Sequence, residues 1–199
     1  IDALRTGAIL EQNYLNLLSD DYFIQYKVSN EKMDVFVSSL DFAKINGGVL
    51  VDFDELKTIS FPDYIEFIEP LKNLDNKTQI EVIKKTFKKY YNQVQIQLFC
   101  SKLESANLVF LSVNSYLFDF NNLGIDLRLL DYAKDKSIDL QLIKDPNDFF
   151  LHDFNIHKFK DCEYKEKVIE FIDFCKKYKL KNKSLKIAIN EFKEKLKLL

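Results

Sequence analysis

Asp41, Glu55 and Lys57 have the types and the spacing needed to hydrolyse a phosphodiester with a divalent cation. Glu55 and Lys57 flank Leu56 in the apolar run Val49-Leu50-Val51-Asp52-Phe53-Asp54-Glu55-Leu56-Lys57-Thr58, which reads as a strand. Strand side chains alternate faces, so Glu55 and Lys57 point one way and Leu56 points the other, into the core. A Gly47-Gly48 turn precedes that strand. If the strand before the turn pairs with the one after it, Asp41 is carried back beside Glu55. Two carboxylates in that place suit a divalent cation, and a lysine beside them can orient or activate the attacking water. In a chain with 31 acidic and 29 basic residues the same spacing also fits a solvated hairpin face, so the pattern needs support from elsewhere.

Two other blocks supply it. Upstream lies Arg5-Thr6-Gly7-Ala8-Ile9-Leu10-Glu11, and downstream lies Lys89-Tyr90-Tyr91-Asn92-Gln93-Val94-Gln95-Ile96-Gln97. In order and spacing the three blocks resemble the phage lambda exonuclease family, or YqaJ-type viral recombinases, within the PD-(D/E)xK nuclease superfamily. That family carries Gly-x-x-x-Glu on an early helix, Asp at a strand end, Glu-x-Lys on the next strand and Tyr-x-x-Gln-Val-Gln on a following helix. The resemblance spans roughly residues 3 to 175 and implies an α/β, restriction-endonuclease-like fold with a mixed sheet flanked by helices. It implies Asp41, Glu55 and the main-chain carbonyl of Leu56 as ligands of Mg²⁺ or Mn²⁺, and Glu11 as a carboxylate near a second metal. Lys57 is then the residue that holds the water, with Tyr90 and Gln93 flanking the site. The family writes its first strand Pro-Asp-Gly, whereas this chain has Leu40-Asp41-Phe42, which leaves Asp34 as a rival for Asp41. Seven residues apart in a continuous strand, the two face opposite ways. The known exonuclease of that family also has a long segment ahead of the Glu11 helix, which is expected to be either missing here or removed.

What the resemblance implies about activity is a metal-dependent exonuclease on linear double-stranded DNA, running 5′ to 3′, in recombination or DNA degradation. It further implies a homo-oligomer, a trimer by analogy, and a single-strand annealing protein as partner. Readings of other kinds remain: an endonuclease of the same superfamily, an inactive DNA-binding or assembly protein with this fold, or a helical interaction protein with an accidental motif. Without the upstream motif, Tyr90 would read as packing against the sheet and Gln93 as a helix-surface amide.

The elements that must position these residues follow from periodicity. Residues 3 to 19 read as a helix with Leu4, Ile9, Leu10, Leu15, Leu17 and Leu18 as candidate core positions. Tyr22 to Val28 and Met33 to Leu40 read as strands around a polar turn, and Val49 to Thr58 as the next strand. Residues 60 to 75, with Pro62 and Pro70, read as irregular. Thr78 to Leu103 reads as one long helix capped by Asn76 or Thr78, with Ile80, Ile83, Phe87, Tyr91, Val94 and Leu98 along one stripe and Tyr90, Gln93 and Gln97 beside it. Asn107 to Val113 and Tyr116 to Phe120 suggest a hairpin, 124 to 135 a helix-prone segment, and Asp153 to Phe159 a last strand before a helix from about Cys162 to Lys179. Lys183 to Leu199 is an amphipathic helix. The domain reading is therefore 1–180 as the nuclease domain and 181–199 as a helix packed on it, the alternative being a partner-binding or oligomer-forming element.

Composition is compatible with this reading. With 47% hydrophobic residues, four Gly and three Pro, the chain is globular rather than disordered. No uncharged apolar run reaches the roughly 18 residues a membrane span needs, so no membrane partner is expected. Three cysteines without metal spacing read as reduced thiols and suggest a cytoplasmic protein. A net charge of −2 is low for a protein that neutralises phosphates, but from Lys158 onward there are 13 Lys against 7 Asp and Glu. That excess is either a phosphate-facing surface or a solvated lysine-rich face. His152 and His157 have no Ser or Cys partner in a recognisable motif and are read as structural. Asp52 and Asp54 are read as flanking the site on opposite strand faces from one another, Asp54 turned away from Glu55. No Gly-rich phosphate loop is present, so ATP hydrolysis is not indicated.

Overall fold

A computed structural model describes residues 10, 11, 14–31, 33–113 and 149–177, together with 187, 189–191, 193, 194 and 197 of the tail. The order is β1 (Tyr22–Asn30), β2 (Met33–Asn46), β3 (Val49–Thr58), short helical turns over Phe61–Asn73, α1 (Asn76–Thr86), α2 (Lys88–Ser101), β4 (Ser105–Val113), β5 (Phe149–His157) and α3 (Asp161–Lys177). The strands form one mixed sheet in the order β1-β2-β3-β4-β5, with β3 and β4 parallel and every other neighbouring pair antiparallel. An α/β protein with a mixed sheet flanked by helices is therefore what this sequence builds.

The β2–β3 hairpin turns on Gly47 and Gly48, whose φ values of 57° and 81° lie in the left-handed region that a two-residue hairpin loop requires. Two glycines there meet that need without a Cβ penalty. Pairing runs from Asn46↔Val49 to Phe42↔Asp54, and there β2 and β3 part company. Beyond that point β2 continues against β1 in regular register to Val37 and, after a shift, to Met33, while β3 continues against β4 from Asp54↔Asn107 to Thr58↔Leu111. The sheet thus forks between β2 and β3.

Helices cover both faces. On one face α1 and α2 bury Ile83, Tyr91, Val94 and Leu98 against Phe53, Leu108, Phe110, Phe154 and Ile156. On the other, Leu10 and Tyr14 of the N-terminal helical residues cover Phe42, Leu56, Val109 and Leu111. Each fully buried apolar side chain of this size is worth about 1.5–3 kcal/mol relative to exposure, so the two clusters together hold the fork in place.

The boundaries differ from the sequence reading in several places. The expected single helix over 78–103 is two helices broken at Phe87, which has φ −114° and ψ 40°. Its ring is packed against Phe67, Tyr90 and Phe110, and that packing outweighs one residue of helical backbone. Because the apolar stripe continues across the break, periodicity could not reveal it. The α1 cap is Asp75, whose side chain accepts from the Thr78 N–H, rather than Asn76 or Thr78. The 60–75 segment is helical in short turns, including a π-helical stretch at Tyr64–Ile68. Strand β2 does not stop at Leu40 but runs to Asn46, placing Asp41 inside a strand rather than at its end. Among the described residues the last strand is Phe149–His157, which begins and ends earlier than expected and pairs antiparallel with β4. The segments 116–120 and 124–135 lie outside the described residues, as do Leu4 and Ile9. Of the other N-terminal candidates Leu10 is buried and Leu17 is exposed. In the tail, Ile189 packs with Val168 and Phe159 on Phe99 and Tyr164. Among the described residues no helix is long and apolar enough to cross a membrane.

Candidate functional site

The fork brings Asp41 and Glu55 together. Asp41 lies one residue past the last β2–β3 pair, and its Oδ2 accepts the N–H of Leu56 at 3.0 Å. A side chain here takes over a ladder bond where the backbone pairing has ended. Asp41 also falls opposite Gln25, a β1 residue with φ 53° that is skipped in the β1–β2 pairing, so regular pairing is interrupted on both sides of this carboxylate. Asp34 lies near the start of the same strand, far along β2 from the fork.

Glu55 is fully buried, and three residues on two elements, Lys57 on β3 and Gln93 and Gln97 on α2, donate to it. Its Oε1 accepts from Lys57 Nζ and, at 2.5 Å, from Gln93 Nε2. Its Oε2 accepts from Gln97 Nε2. Burial pushes the Glu55 carboxyl up to about 7, the negative charge of Asp41 adds to the rise, and Lys57 and Gln97 oppose it. Lys57 has its ammonium 5.5 Å from the centre of the Tyr90 ring, a cation–π contact. Tyr90 in turn stacks on Phe87 and packs on Phe110. The alternation expected of β3 holds: Leu56 lies on the opposite face, in the cluster with Leu10 and Phe42.

Glu11 is exposed on the N-terminal helical residues, and its carboxyl is held above the usual range by partial desolvation and by Asp41, with Lys57 opposing. It therefore stands within electrostatic reach of the same pair. Every residue expected at the site is thus brought to one region: Asp41, Glu55, Lys57, Gln93 and Tyr90 by direct contact or adjacency, and Glu11 at its edge.

Among the described residues no group of three or more His, Cys, Asp or Glu stands close enough to hold a metal ion. The donor set nevertheless suits a hard cation. Burial first, and then the charge of the neighbouring Asp41, raise the Glu55 carboxyl, a cost a cation would lower. Glu55 offers about four lone-pair positions and takes three donors, leaving one on Oε2. Asp41, Glu55 and the carbonyl of Leu56, with Glu11 at the rim, are the oxygens that would hold Mg²⁺ or Mn²⁺.

Two features of the neighbourhood are not in the sequence reading. Gln97, one helical turn beyond Gln93, is fully buried against Glu55; the shared helix face was legible, but its burial was not. Asp52 and Asp54, read as facing opposite ways, share a face, as their even separation requires, and Asp52 contributes to raising the Asp54 carboxyl. Asp54 is turned away from Glu55 and is held by Tyr14 Oη at 2.7 Å and Asn107 Nδ2 at 2.9 Å. Gln95, the second glutamine of the Gln-Val-Gln block, binds the end of β5 instead: its Nε2 donates to the His157 carbonyl at 2.7 Å and its Oε1 accepts from Phe159 N at 2.7 Å. His152 and His157 lie in β5, His152 with its ring edge-on to Phe154. No protein-family model, no curated protein and no solved structure matches this chain.

Proposed function

We propose that this chain is a metal-dependent deoxyribonuclease with a restriction-endonuclease-like fold, related to the phage lambda exonuclease family and acting on linear double-stranded DNA. The observation that carries the reading is the meeting of Asp41 and Glu55 at the β2–β3 fork with the Lys57 ammonium on Glu55. A mixed sheet with helices on both faces is the architecture the resemblance implies, and supports it.

Asp41, Glu55 and the Leu56 carbonyl would hold Mg²⁺ or Mn²⁺, which when bound would supply Lewis-acid polarisation of the scissile phosphate and lower the pKa of the attacking water. The chain's own residues do the rest. Glu55 anchors the Lys57 ammonium through one of its donors, and the Tyr90 ring limits where that ammonium can swing. The remaining Lys57 N–H groups can then hold a water in line with the phosphate, an orienting role of the kind that converts a bimolecular encounter into a positioned one. Gln93 donates to the same Glu55 oxygen and keeps the carboxylate plane fixed. Glu11, at the rim, is available to a second cation.

The resemblance alone carries the rest of the proposal: 5′-to-3′ polarity, a role in recombination or DNA degradation, a homo-oligomer, a single-strand annealing partner and a cytoplasmic location. End-labelled linear duplex and covalently closed circles, each incubated with and without Mg²⁺, test the core of it. Loss of label from linear DNA only, and only with Mg²⁺, is expected. Cutting of closed circles would make the chain an endonuclease of the same fold, and no cutting together with no Mn²⁺ binding would overturn the enzyme reading.

A further inference from the structure

We infer that Gln97 is a positioning residue for the metal-binding carboxylates, acting by bridging the two strands across the fork; this rests on the nuclease reading above. Gln97 lies on α2, is fully buried, and its Nε2 makes two hydrogen bonds: one to Glu55 Oε2 on β3 and one, at 3.0 Å, to the carbonyl oxygen of Ser39 on β2. The Ser39 carbonyl oxygen can only accept, and the ionised Glu55 carboxylate likewise. The amide must therefore present its NH₂ to them, which settles an orientation that shape alone leaves ambiguous. With the amide so turned, Gln97 Oε1 is buried without a hydrogen-bond partner, a cost of the kind a chain carries where a donor placement is needed.

The location gives the bridge its meaning. Strands β2 and β3 exchange no ladder pairs beyond Phe42↔Asp54, and it is there that Asp41 and Glu55 must be kept a fixed distance apart to share one cation. Two side-chain links span the gap. Asp41 Oδ2 reaches from β2 to the Leu56 N–H, and Gln97 ties Ser39 of β2 to Glu55 of β3. The first link is made by the Asp41 carboxylate itself, whereas the second holds the Glu55 carboxylate through a side chain that is not one of the proposed ligands and leaves Asp41 untouched. Among the described residues Gln93 hydrogen-bonds to Glu55 and not to β2, so it orients that carboxylate without setting its distance from β2.

Gln97→Met keeps the length and volume and removes both donors; Gln97→Asn keeps the amide but is one methylene too short to reach both partners. Mn²⁺ binding is measured by calorimetry, thermal melting by circular dichroism, and turnover on linear duplex against Mg²⁺ concentration. The expected result is a folded Gln97→Met protein whose Mn²⁺ dissociation constant and Mg²⁺ half-saturation both rise by about 10- to 100-fold, as loss of partners behind a metal ligand does. Gln97→Asn is expected to fall between it and wild type. A lower melting temperature with unchanged Mn²⁺ affinity, or failure of both variants to fold, would make Gln97 structural only and overturn the inference. Wild-type protein that binds no Mn²⁺ would overturn the nuclease reading and the inference with it, whereas wild type that binds while Gln97→Met binds equally well overturns the inference alone.

Discussion

Asp54 and Glu55 are neighbours in sequence, both buried, and separated by the thickness of the sheet, yet they stand in opposite chemical settings. Glu55 looks toward α2, where it meets a cation, two amides and a second carboxylate within the fork. Asp54 looks toward the N-terminal helical residues, where Tyr14 and Asn107 close over it, Asn107 being held in turn by Asn155 at 3.3 Å. Burial raises both carboxyls. The donors decide the difference. Asp54 is met by neutral groups that seal it, with Asp52 and Asp153 adding only like charge, and the Tyr14 hydroxyl beside it is itself made a poorer acid by burial and by Asp54. Glu55 has a lysine that can be shared with a substrate and a half-exposed carboxylate next door. In the proposed reading a buried acid is structural on one face of β3 and catalytic on the other, and the partner set is what tells them apart.

The largest effect expected from disturbing this contrast comes from the fork itself. Glu55→Gln and Asp41→Asn should each abolish DNA cleavage while leaving the circular-dichroism spectrum intact, because an amide keeps the shape and removes the charge a cation requires. Asp34→Asn, far along β2 from the fork, should cleave like wild type. A dead Asp34→Asn beside an active Asp41→Asn would move the site away from the fork.

Next in size is Lys57→Ala. Loss of the positioned ammonium should lower turnover by about 10²-fold or more while Mn²⁺ binding survives, since both carboxylates remain. As an ordinary strand-surface ion pair Lys57 would be worth about 0–1 kcal/mol of stability and nothing in turnover. Turnover and Mn²⁺ calorimetry on the one variant separate these outcomes.

How far the sequence could carry this comparison is visible at single residues. Period-two alternation placed Glu55 and Lys57 together and turned Asp54 away, because a strand has only two faces. The Gly47-Gly48 turn brought Asp41 back to Glu55, because a two-residue hairpin leaves little choice of register. What alternation could not supply was the fork: nothing in the composition of β2 announces that its partner changes after Phe42, so Asp41 looked like a strand end rather than a side chain filling a gap in a ladder. The break at Phe87 was hidden for a similar reason, the apolar stripe being continuous through it. Tyr14 and Asn107 were invisible as partners of Asp54 because they come from 40 and 53 residues away in the chain. Long-range pairs of that sort are decided by tertiary packing and leave no local pattern.

A pH effect of intermediate size follows from Glu55. Its carboxyl is raised in the folded protein to about 7, above its unfolded value, so the folded state holds that proton more tightly. The resulting stabilisation is fully present below the unfolded value, about 4.3, and is lost as pH climbs through about 7. Metal-free protein should therefore lose stability, on the order of 1–3 kcal/mol, between those limits. Glu55→Gln should flatten that slope, and so should saturating Mn²⁺, each by removing the uncompensated charge. Urea midpoints at pH 5, 6, 7 and 8 with and without Mn²⁺ provide the check; an equal slope in wild type and Glu55→Gln would place the linked proton elsewhere.

The smallest effect, and the one that tests the other face, belongs to Asp54. In Asp54→Asn the carbonyl oxygen can still accept from Tyr14, while the new NH₂ group stands where Asn107 used to donate, so one contact survives and one becomes donor against donor. The carboxyl of Asp54 is raised by burial in the folded protein, so at neutral pH the substitution also removes a charge that folding had disfavoured. These two consequences oppose one another, and the net change should be about 1 kcal/mol or less, within the range of a single neutral hydrogen bond. Asp54→Leu keeps neither acceptor and leaves the Tyr14 hydroxyl and the Asn107 amide buried and unpaired, which should cost about 1–3 kcal/mol. In both variants Mn²⁺ affinity and turnover of the folded protein should stay within a few-fold of wild type, since Asp54 touches neither Glu55 nor Lys57. Urea denaturation paired with Mn²⁺ calorimetry reads both quantities. A loss of Mn²⁺ binding in Asp54→Asn comparable to that in Glu55→Gln would mean that the two faces of β3 are coupled through the strand, and that the seal around Asp54 is part of the site after all.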